Sequence, residues 1–348
     1  MGDKVLIGYS FWGFLGPGII DTPDGGRSHR RTLIDGLQRR GHEVVFLQRD
    51  RDRTEAGLDL ADLYRWEPGL PVIDVLMLEW RWPIAGRNTT PCGTASHTCD
   101  LHRQAELVTH YTDRLGTPTL LWDKDRQLPA DDSLWTRPNV TICEPALHPR
   151  PRAVSLLFPL ADAVLRTADP AALAALPRPL PLVYIGNQYD RDDAFERFFA
   201  PAAGNLPHAV AGKWSRTSQW PHVNFVGRIA FEQVAELYRE ALATVLLLPE
   251  RYRSAGQMTQ RIFEAVLAGC LPLAPTDIDD VDAFVPRCLQ VVDGAETLSK
   301  IDWLTAVTRT TEHTDLISQC LGKLDLFRLS AQLDTIDRVL SSARGVDR

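Results

Sequence analysis

Short apolar runs that alternate with helical patterns constrain the fold of this chain more than any other feature. In the first half of the sequence these runs have the length of buried strands. They cover residues 4–9, 43–48, 72–78, 119–122, 140–143 and 154–158. Helical patterns at 28–40 and 101–115 separate some of them. This alternation predicts an α/β domain in which helices cover a parallel sheet.

A second alternating series begins after a proline-rich segment. Residues 167–181 contain four prolines and many alanines, a composition typical of a linker. Helical patterns then appear at 192–199, 231–243 and 259–268. The strand-like runs of this second series cover residues 182–185, 208–211, 223–226, 244–248, 271–274 and 289–292.

The two series predict two Rossmann-like α/β domains that face each other across a cleft. We expect an amino-terminal domain at residues 1–166 and a linker at 167–181. A second domain then spans 182–310, and helices at 311–348 can pack back on the amino-terminal domain. Because parallel sheets bind ligands at the carboxyl ends of their strands, the cleft is the expected site.

Composition and charge narrow the class of function. The chain has 348 residues, of which 44% are hydrophobic, and a net charge of −7. This mild negative charge argues against general nucleic-acid binding. The sequence shows neither a charged-then-apolar leader nor an apolar run of membrane-spanning length, so we expect a soluble cytoplasmic protein without a membrane partner. Its six scattered cysteines lack the spacing of a disulfide framework and are expected to be reduced.

The segment 256–274 has the pattern of an anion-binding site. It combines a loop of small residues, a short helix that opens near Thr259, and a buried strand. The first turn of a helix offers unpaired backbone N–H groups to an anion, and Arg261 adds a cation there. Glu264 can accept hydrogen bonds from two vicinal hydroxyls, such as those of a ribose. The alternative is an ordinary amphipathic helix with an exposed Arg261–Glu264 pair.

Several motifs of the second series follow one another in the order of a known family. They are Tyr184-Ile185-Gly186-Asn187, Val210-Ala211-Gly212-Lys213-Trp214, Val223-Asn224-Phe225-Val226-Gly227-Arg228, Leu237-Tyr238, and Arg261-x-Phe263-Glu264-Ala265 followed by Gly269. Over residues 182–275 this series resembles the spore-maturation CgeB-like branch of the GT-B glycosyltransferases. In the first half, residues 118–125 are similar to the strand and acidic loop of the same branch.

The resemblance implies an enzyme that transfers a sugar from a nucleotide diphosphate sugar, with a UDP-sugar favoured. It implies that Glu264 holds the donor ribose and that Arg261 and Lys213 act on the diphosphate. Related retaining enzymes often have a second glutamate eight positions earlier, where this chain has Gly256. A retaining transfer is favoured, but this departure leaves the sugar and the stereochemistry open. Further donor contacts are implied for Gly186, Asn187, Gly212, Gly227, Arg228, Gln257, Met258 and Thr259.

A glycine-rich loop follows the first strand-like run and leads into a helix. Its glycines allow a ligand to approach the backbone, while Asp24 or Ser28 can cap the helix that carries Arg27. The glycine spacing fits neither a P-loop nor the dinucleotide-binding fingerprint. The resemblance implies acceptor or sugar contacts from Trp12, Arg27 and His29, with His29 in a catalytic role. The alternative is a capped helix with a buried Trp12 and basic residues on the surface.

Charged residues also follow two strand-like runs of the first half. Asp123, Lys124 and Asp125 come after one run, and Glu79 comes after another. A carboxylate at the carboxyl end of a strand can orient or deprotonate an acceptor hydroxyl. We therefore expect Asp123 to be catalytic and the other three residues to face the acceptor. The alternative is a set of solvated turn residues.

Cysteines and histidines between residues 92 and 110 raise the question of a metal site. Zinc sites usually have closer pairs, such as cysteines with two residues between them, and no matching set follows downstream. We therefore predict no metal and no cofactor, and interpret the group as surface histidines and buried thiols. The residues concerned are Cys92, His97, Cys99, His102 and His110.

These observations lead to two hypotheses about function. The first is a metal-independent glycosyltransferase whose acceptor is a small natural product or a hydroxymethylated DNA base. The weak net charge favours a small acceptor, while basic residues in 27–40 keep DNA open as an acceptor. The second is a non-catalytic or epimerising nucleotide-sugar-binding protein of the same fold. Turnover of the donor with and without an acceptor separates the two hypotheses.

Overall fold

The structure, a computed structural model, describes residues 4–18 and 26–345. By their mutual contacts these residues divide into two compact units. The amino-terminal unit comprises the described residues of 1–16, 30–157 and 329–348. The carboxy-terminal unit comprises those of 17–29 and 158–328.

A parallel sheet of seven strands forms the centre of the amino-terminal unit in the described residues. Its strands are β1 (Leu6–Ser10), β2 (Glu43–Phe46), β3 (Arg65–Trp66), β4 (Val75–Glu79), β5 (Thr119–Trp122), β6 (Val140–Glu144) and β7 (Val154–Ser155). Their order across the sheet is β3-β2-β1-β4-β5-β6-β7. The order reverses between β1 and β4, and the carboxyl ends of strands at such a point bound a crevice for ligands. Strands β4 and β5 are buried along their whole length, because helices cover both faces of a parallel sheet.

The helices of the first half connect these strands. They are α1 (Gly26–Arg39), α2 (Arg51–Ala56) and α3 (Asp100–Leu107), which continues as wider π-helical turns over Val108–Arg114. The amphipathic pattern of α1 places Leu33, Ile34 and Leu37 in the core. The sequence therefore predicted both long helices, while the two-residue edge strand β3 has no apolar run by which it could be recognised.

The carboxy-terminal unit has a second parallel sheet, of six strands in the described residues. Its strands are β8 (Leu180–Ile185), β9 (His208–Ala211), β10 (Phe225–Gly227), β11 (Ala241–Val245), β12 (Leu271–Pro275) and β13 (Gln290–Val291). The order is β10-β9-β8-β11-β12-β13, which again reverses beside the first strand of the unit. The predicted fold class, two parallel α/β domains, is confirmed.

Helices surround the second sheet. They are α4 (Asp162–Thr167), α5 (Pro170–Ala175), α6 (Asp192–Ala194), α7 (Ala200–Ala203), α8 (Phe231–Glu240), α9 (Glu250–Arg253), α10 (Arg261–Leu267), α11 (Val281–Phe284), α12 (Gly294–Val307) and α13 (Thr311–Lys323). The segment interpreted as a linker thus contains α5. Pro170 is well suited to the first position of this helix, because its ring fixes φ at a helical value. The Asp169 carboxylate caps α5 by accepting hydrogen bonds from the backbone N–H groups of Ala171 and Ala172.

Glycines allow the ends of β8, β9 and β10 to lie unusually close together. The Gly212 N–H donates to the Gly227 carbonyl oxygen at 2.8 Å, and the Gly186 N–H donates to the Ala211 carbonyl oxygen at 2.9 Å. Gly212 has a φ of +140°, and a Cβ there would collide with the Gly186 carbonyl oxygen. Only glycine fits this position, so the backbone segments at these strand ends pack closely against one another.

The last helix, α14 (Leu329–Gly345), belongs to the amino-terminal unit. The Gln332 side-chain oxygen accepts a hydrogen bond from the Leu157 N–H at 2.8 Å, and Arg40 forms an ion pair with Asp334 at 2.6 Å. Gly36 of α1 leaves room for the Leu329 side chain. None of the helices in the described ranges is long and apolar enough to span a membrane.

Candidate functional site

The predicted anion-binding segment folds as a buried turn followed by a short helix. Gln257 and Met258 are buried and Thr259 is half-buried. Helix α10 begins at Arg261, two residues later than the sequence predicted, and Gly269 follows it with a φ of +76°. The apolar face of α10 lies in the core, so the helix presents its polar residues Arg261 and Glu264 at one edge.

Glu264 is held by two hydrogen bonds within the carboxy-terminal unit. One carboxylate oxygen accepts from the Ser28 hydroxyl and the other accepts from the Arg261 guanidinium. The side chains of Arg261 and Glu264 are both nearly buried. Burial alone lowers the pKa of Arg261, but the charge and hydrogen bond of Glu264, together with the nearby Tyr238 and Tyr184, outweigh it, and the net shift of this pKa is upward. Arg261 therefore keeps its full positive charge in a place where water is scarce.

The glycines predicted as donor contacts lie where neighbouring strands end. Gly186 follows β8, Gly212 follows β9, and Gly227 ends β10. The Asn187 side-chain oxygen accepts a hydrogen bond from the Lys213 N–H at 2.8 Å and so joins two of these loops. The Lys213 side chain is partly exposed, as a ligand contact requires.

A tyrosine connects these strand ends to α10. The Tyr184 hydroxyl lies where a Cβ of Gly186 would be. Burial raises the pKa of Tyr184, while the nearby charges of Arg191 and Arg261 lower it. Tyr184 thus contacts one of the glycine-lined loops and lies near the charge of Arg261. Arg228, also predicted at this site, is exposed.

The residues predicted from the amino-terminal loop fall into different units. Arg27 and His29 lie in the carboxy-terminal unit. The Arg27 guanidinium lies 5.4 Å from the centre of the Phe231 ring, and the His29 ring lies 4.5 Å from that of Phe158. Trp12 belongs to the amino-terminal unit, where it is half-buried. The predicted cap residue Asp24 lies outside the described residues.

Glu79 is the centre of a buried ion network at the end of β4. Arg30 forms two hydrogen bonds of 3.0 Å to its carboxylate, and the Lys124 ammonium lies 2.6 Å from it. Arg81 lies 3.7 Å away, and the Tyr9 hydroxyl donates to Glu79 at 2.7 Å. The sequence predicted Glu79 and Lys124 at one place, and the structure brings them together.

The charges of this network determine its protonation. Burial by itself raises the pKa of Glu79, but the positive charges of Arg30 and Lys124 bring this pKa well below its usual range. Burial lowers the pKa of Lys124 to about 8, although Glu79 opposes the shift. An ionised carboxylate that three cations surround is a weak base, so this geometry favours positioning over proton abstraction by Glu79.

Asp123 belongs to a second, separate network. It is fully buried, and its carboxylate accepts hydrogen bonds from the backbone N–H groups of Gln127 and Leu128. Arg150 also contacts Asp123 at 2.7 Å and pairs with the buried Glu144. Burial raises the pKa of Asp123, and these donors oppose the shift. The contacts favour a role in holding the loop that carries Lys124 and the half-buried Asp125.

A cavity of about 650 Å³ lies in the amino-terminal unit beside the ends of β1 and β4. Glu79, Arg81 and Trp12 line one part of it, and residues 96–100 line another. The Arg51 guanidinium stacks 4.3 Å from the centre of the Trp12 ring. The volume is that of a small-molecule pocket, and it lies where the strand order reverses.

Two further residues of the site were missing from the sequence prediction. Ser28 was interpreted only as a helix cap, and Arg30 was not singled out. Both lie on α1, close in sequence to the predicted Arg27 and His29. A burial pattern could have indicated Arg30, because it lies three residues before Leu33 on the apolar face of α1.

A comparison with family models gives a match to a family described as glycosyl transferase-like, over residues 191–318. This range covers most of the carboxy-terminal unit but less than half of the chain. No curated protein sequence matches the chain significantly.

Solved structures extend the similarity to nearly the whole chain at the level of the fold. T4 phage BGT in complex with UDP-glucose has a TM-score of 0.62 at 13% identity, over 96% of this chain and 99% of its own. An α-glucosyltransferase in complex with UDP-glucose and DNA has a TM-score of 0.61 at 10% identity, over 97% and 100%. HepE from Anabaena, in complex with UDP-glucose, has a TM-score of 0.57 at 11% identity, over 97% and 100%. These likenesses establish the GT-B fold, while the CgeB-like branch stays a resemblance.

We expect Glu79→Gln to destabilise the amino-terminal unit by about 3–5 kcal/mol, because three cations would then lack their buried counter-charge. Urea unfolding measures the change. Glu67→Gln is the control, since Glu67 pairs with Arg65 at the surface and its loss should cost about 1 kcal/mol or less. Equal stability of the two variants would contradict a structural role of the network.

Proposed function

We propose that this chain is a glycosyltransferase that moves a sugar from a nucleotide diphosphate sugar, with UDP-sugars favoured, to an acceptor hydroxyl. The observation that carries the proposal is the Arg261–Glu264 pair beside the glycine-lined ends of β8 and β9. The glycosyl transferase-like match over residues 191–318 includes this pair. The GT-B structures that share the fold were solved with UDP-glucose, which supports the same donor class here.

The donor would bind through charge and hydroxyl recognition in the carboxy-terminal unit. Arg261 and Lys213 would neutralise the diphosphate, whose negative charge grows as the bond to the sugar breaks. The Glu264 carboxylate would accept hydrogen bonds from the ribose hydroxyls in place of the Ser28 hydroxyl that it now accepts from. Gln257, Met258 and Thr259 would contact the sugar or the phosphates through the turn before α10.

The cavity of the amino-terminal unit would hold the acceptor. Its lining has four arginines and four carboxylates, with Ser10, Gln48 and Gln104 as neutral polar groups. Such a mixed surface suits a small hydroxylated acceptor better than a polyanion, which binds to surplus positive charge. A DNA acceptor remains the alternative, since one structure of the same fold contains DNA.

A binding or epimerising protein is the rival, because the same donor site would serve both. The test uses a panel of UDP-, dTDP- and GDP-sugars. Donor binding is measured by calorimetry, and nucleotide release is measured with and without small hydroxylated acceptors or hydroxymethylated DNA. Release that depends on an acceptor supports a transferase. Tight binding of a donor, with no release of nucleotide in the presence of any acceptor tested, would support the binding or epimerising protein.

We expect Glu264→Gln to weaken donor binding by about 1.5–3 kcal/mol, because it removes a charged acceptor for the ribose hydroxyls at nearly constant volume. Calorimetry with the best donor of the panel measures the loss. Glu250→Gln is a matched control, since Glu250 also pairs with an arginine three residues away. Unchanged affinity of the Glu264 variant, with a native melting temperature, would remove this residue from the donor site.

We expect Arg261→Ala to lower kcat by about 10²-fold or more and to raise the donor Kd by less, because charge on the diphosphate is greatest in the transition state. Arg287→Ala is the control, since Arg287 is exposed and pairs with Asp282. Steady-state kinetics with calorimetry separate the two effects. A change in KM alone would make Arg261 a ground-state contact.

We expect transfer to need neither Mg²⁺ nor Mn²⁺, because Arg261 and Lys213 supply the positive charge that a metal would bring. Turnover is measured in protein dialysed free of both ions, before and after their addition. The rates should agree within about twofold. Activity that appears only after addition of Mg²⁺ or Mn²⁺ would show that the diphosphate needs a metal.

A further inference from the structure

A long connection without helix or strand forms one wall of the cavity. It runs from residue 80, after β4, to residue 99, before α3. Ser96, His97, Thr98 and Cys99 from this connection line the cavity. Loops of this length inside a compact unit are uncommon and are usually functional or held by specific interactions.

Two thiols and two imidazoles meet in this loop. The ligand atoms of Cys92, His97, Cys99 and His102 all lie within 4.8 Å of one another. The Cys92 sulfur lies 4.0 Å from the Cys99 sulfur and 3.1 Å from Nδ1 of His102. In a tetrahedral zinc site the corresponding sulfur–sulfur and sulfur–nitrogen separations are about 3.8 Å and about 3.5 Å. The observed spacing is therefore close to that of four ligands around one ion.

His97 provides an independent sign of a missing ligand. Its Nδ1 lies 3.0 Å from the Thr90 hydroxyl, which is the type of outer contact that fixes the orientation of a metal-binding histidine. Its other nitrogen, Nε2, is buried and makes no hydrogen bond within the described residues. A buried nitrogen without a partner is costly, and a metal ion at the cluster would satisfy it.

Two residues of the loop have backbone conformations that are unfavourable unless other interactions stabilise them. Ser96 and Cys99 have φ values of +68° and +50°, in the left-handed region. Each such residue costs about 1–3 kcal/mol and persists only where other interactions hold it. Metal binding supplies free energy of the required kind, since it is coupled to the folding of its loop.

We propose that Cys92, His97, Cys99 and His102 form a tetrahedral zinc site that fixes this wall of the cavity. Two thiolates and two imidazoles are a ligand set that zinc prefers, and four protein ligands leave no open position for catalysis. Binding releases the two thiol protons, and the two thiolates balance the charge of Zn²⁺. The site is thus structural. This proposal departs from the sequence prediction that this chain holds no metal.

The first test measures metal in the purified full-length chain. We expect about one zinc ion per chain, and replacement with Co²⁺ should give thiolate charge-transfer bands and the d–d absorption of tetrahedral cobalt. Cys92→Ser and His102→Ala should both lose the metal. Cys288→Ser and His110→Ala are matched controls, one an exposed cysteine and the other a histidine just outside the cluster, and both should retain it.

The second test follows the loop by hydrogen exchange, so that it does not depend on activity. Removal of zinc should speed exchange in residues 80–102 by about 10-fold or more and leave α10 unchanged. The proposal would be overturned if the natively folded protein contains no metal and its four cluster side chains react with thiol and imidazole reagents. A Cys92–Cys99 disulfide found by mass spectrometry would also overturn it. So would equal zinc content in the ligand variants and the controls.

The consequence for the acceptor rests on the proposed function and is tested separately. In Cys92→Ser the KM for an acceptor should rise while the donor Kd stays the same, because the cluster lies in the amino-terminal unit. If Cys92→Ser loses zinc but neither it nor the wild-type protein shows transferase activity, the proposed function is contradicted and the metal site still stands. Zinc-free Cys92→Ser with a normal acceptor KM would contradict the proposed effect of the site on the acceptor, while the metal content decides the site itself.

Discussion

The buried carboxylate of Glu79 determines how the amino-terminal unit is organised around its cavity. It connects Tyr9 of β1 and Arg30 of α1 to Lys124, in the loop after β5. Each of these groups is costly to bury alone, and the network is stable only when all of them are paired. The strand order reverses at the same place, so one set of ion pairs fixes the strand ends that line the cavity. The carboxylate is therefore better suited to hold the pocket than to react in it.

The local pattern of the sequence was sufficient to predict most of the fold. The bounds of β5 and β9 agree with the predicted runs, because both strands are mostly apolar and have a neighbouring strand on each side. The helix α5 was missed, since the prolines around it favoured a linker although Pro170 is compatible with a first turn. Boundaries were less exact elsewhere, since the helix predicted at 231–243 runs into β11, which begins at Ala241. Because proline occurs both in linkers and in the first turn of helices, composition alone could not distinguish the two structures.

The sites were harder to predict because their partners are distant in sequence. The Arg261–Glu264 pair is local, and the sequence offered it as the alternative to a donor site, whereas its third member, Ser28, comes from a helix more than two hundred residues earlier. For Cys92 and His102 the sequence favoured no metal site, for another reason. These residues are near in sequence, but the turns at Ser96 and Cys99 that close the cluster use φ values that residue types do not predict. Spacing rules for zinc sites take no account of such backbone conformations.

The occupied state of Glu264 bears on how a donor would be recognised. Both carboxylate oxygens already accept hydrogen bonds, from Ser28 and from Arg261. A donor ribose that took the place of the Ser28 hydroxyl would gain only the difference between the two interactions rather than the full strength of the new one. The pair with Arg261 could persist with a donor bound, and the cation would then be in place for the diphosphate. Such a preorganised charge would need no rearrangement when the leaving group departs, and this would favour rate over ground-state affinity.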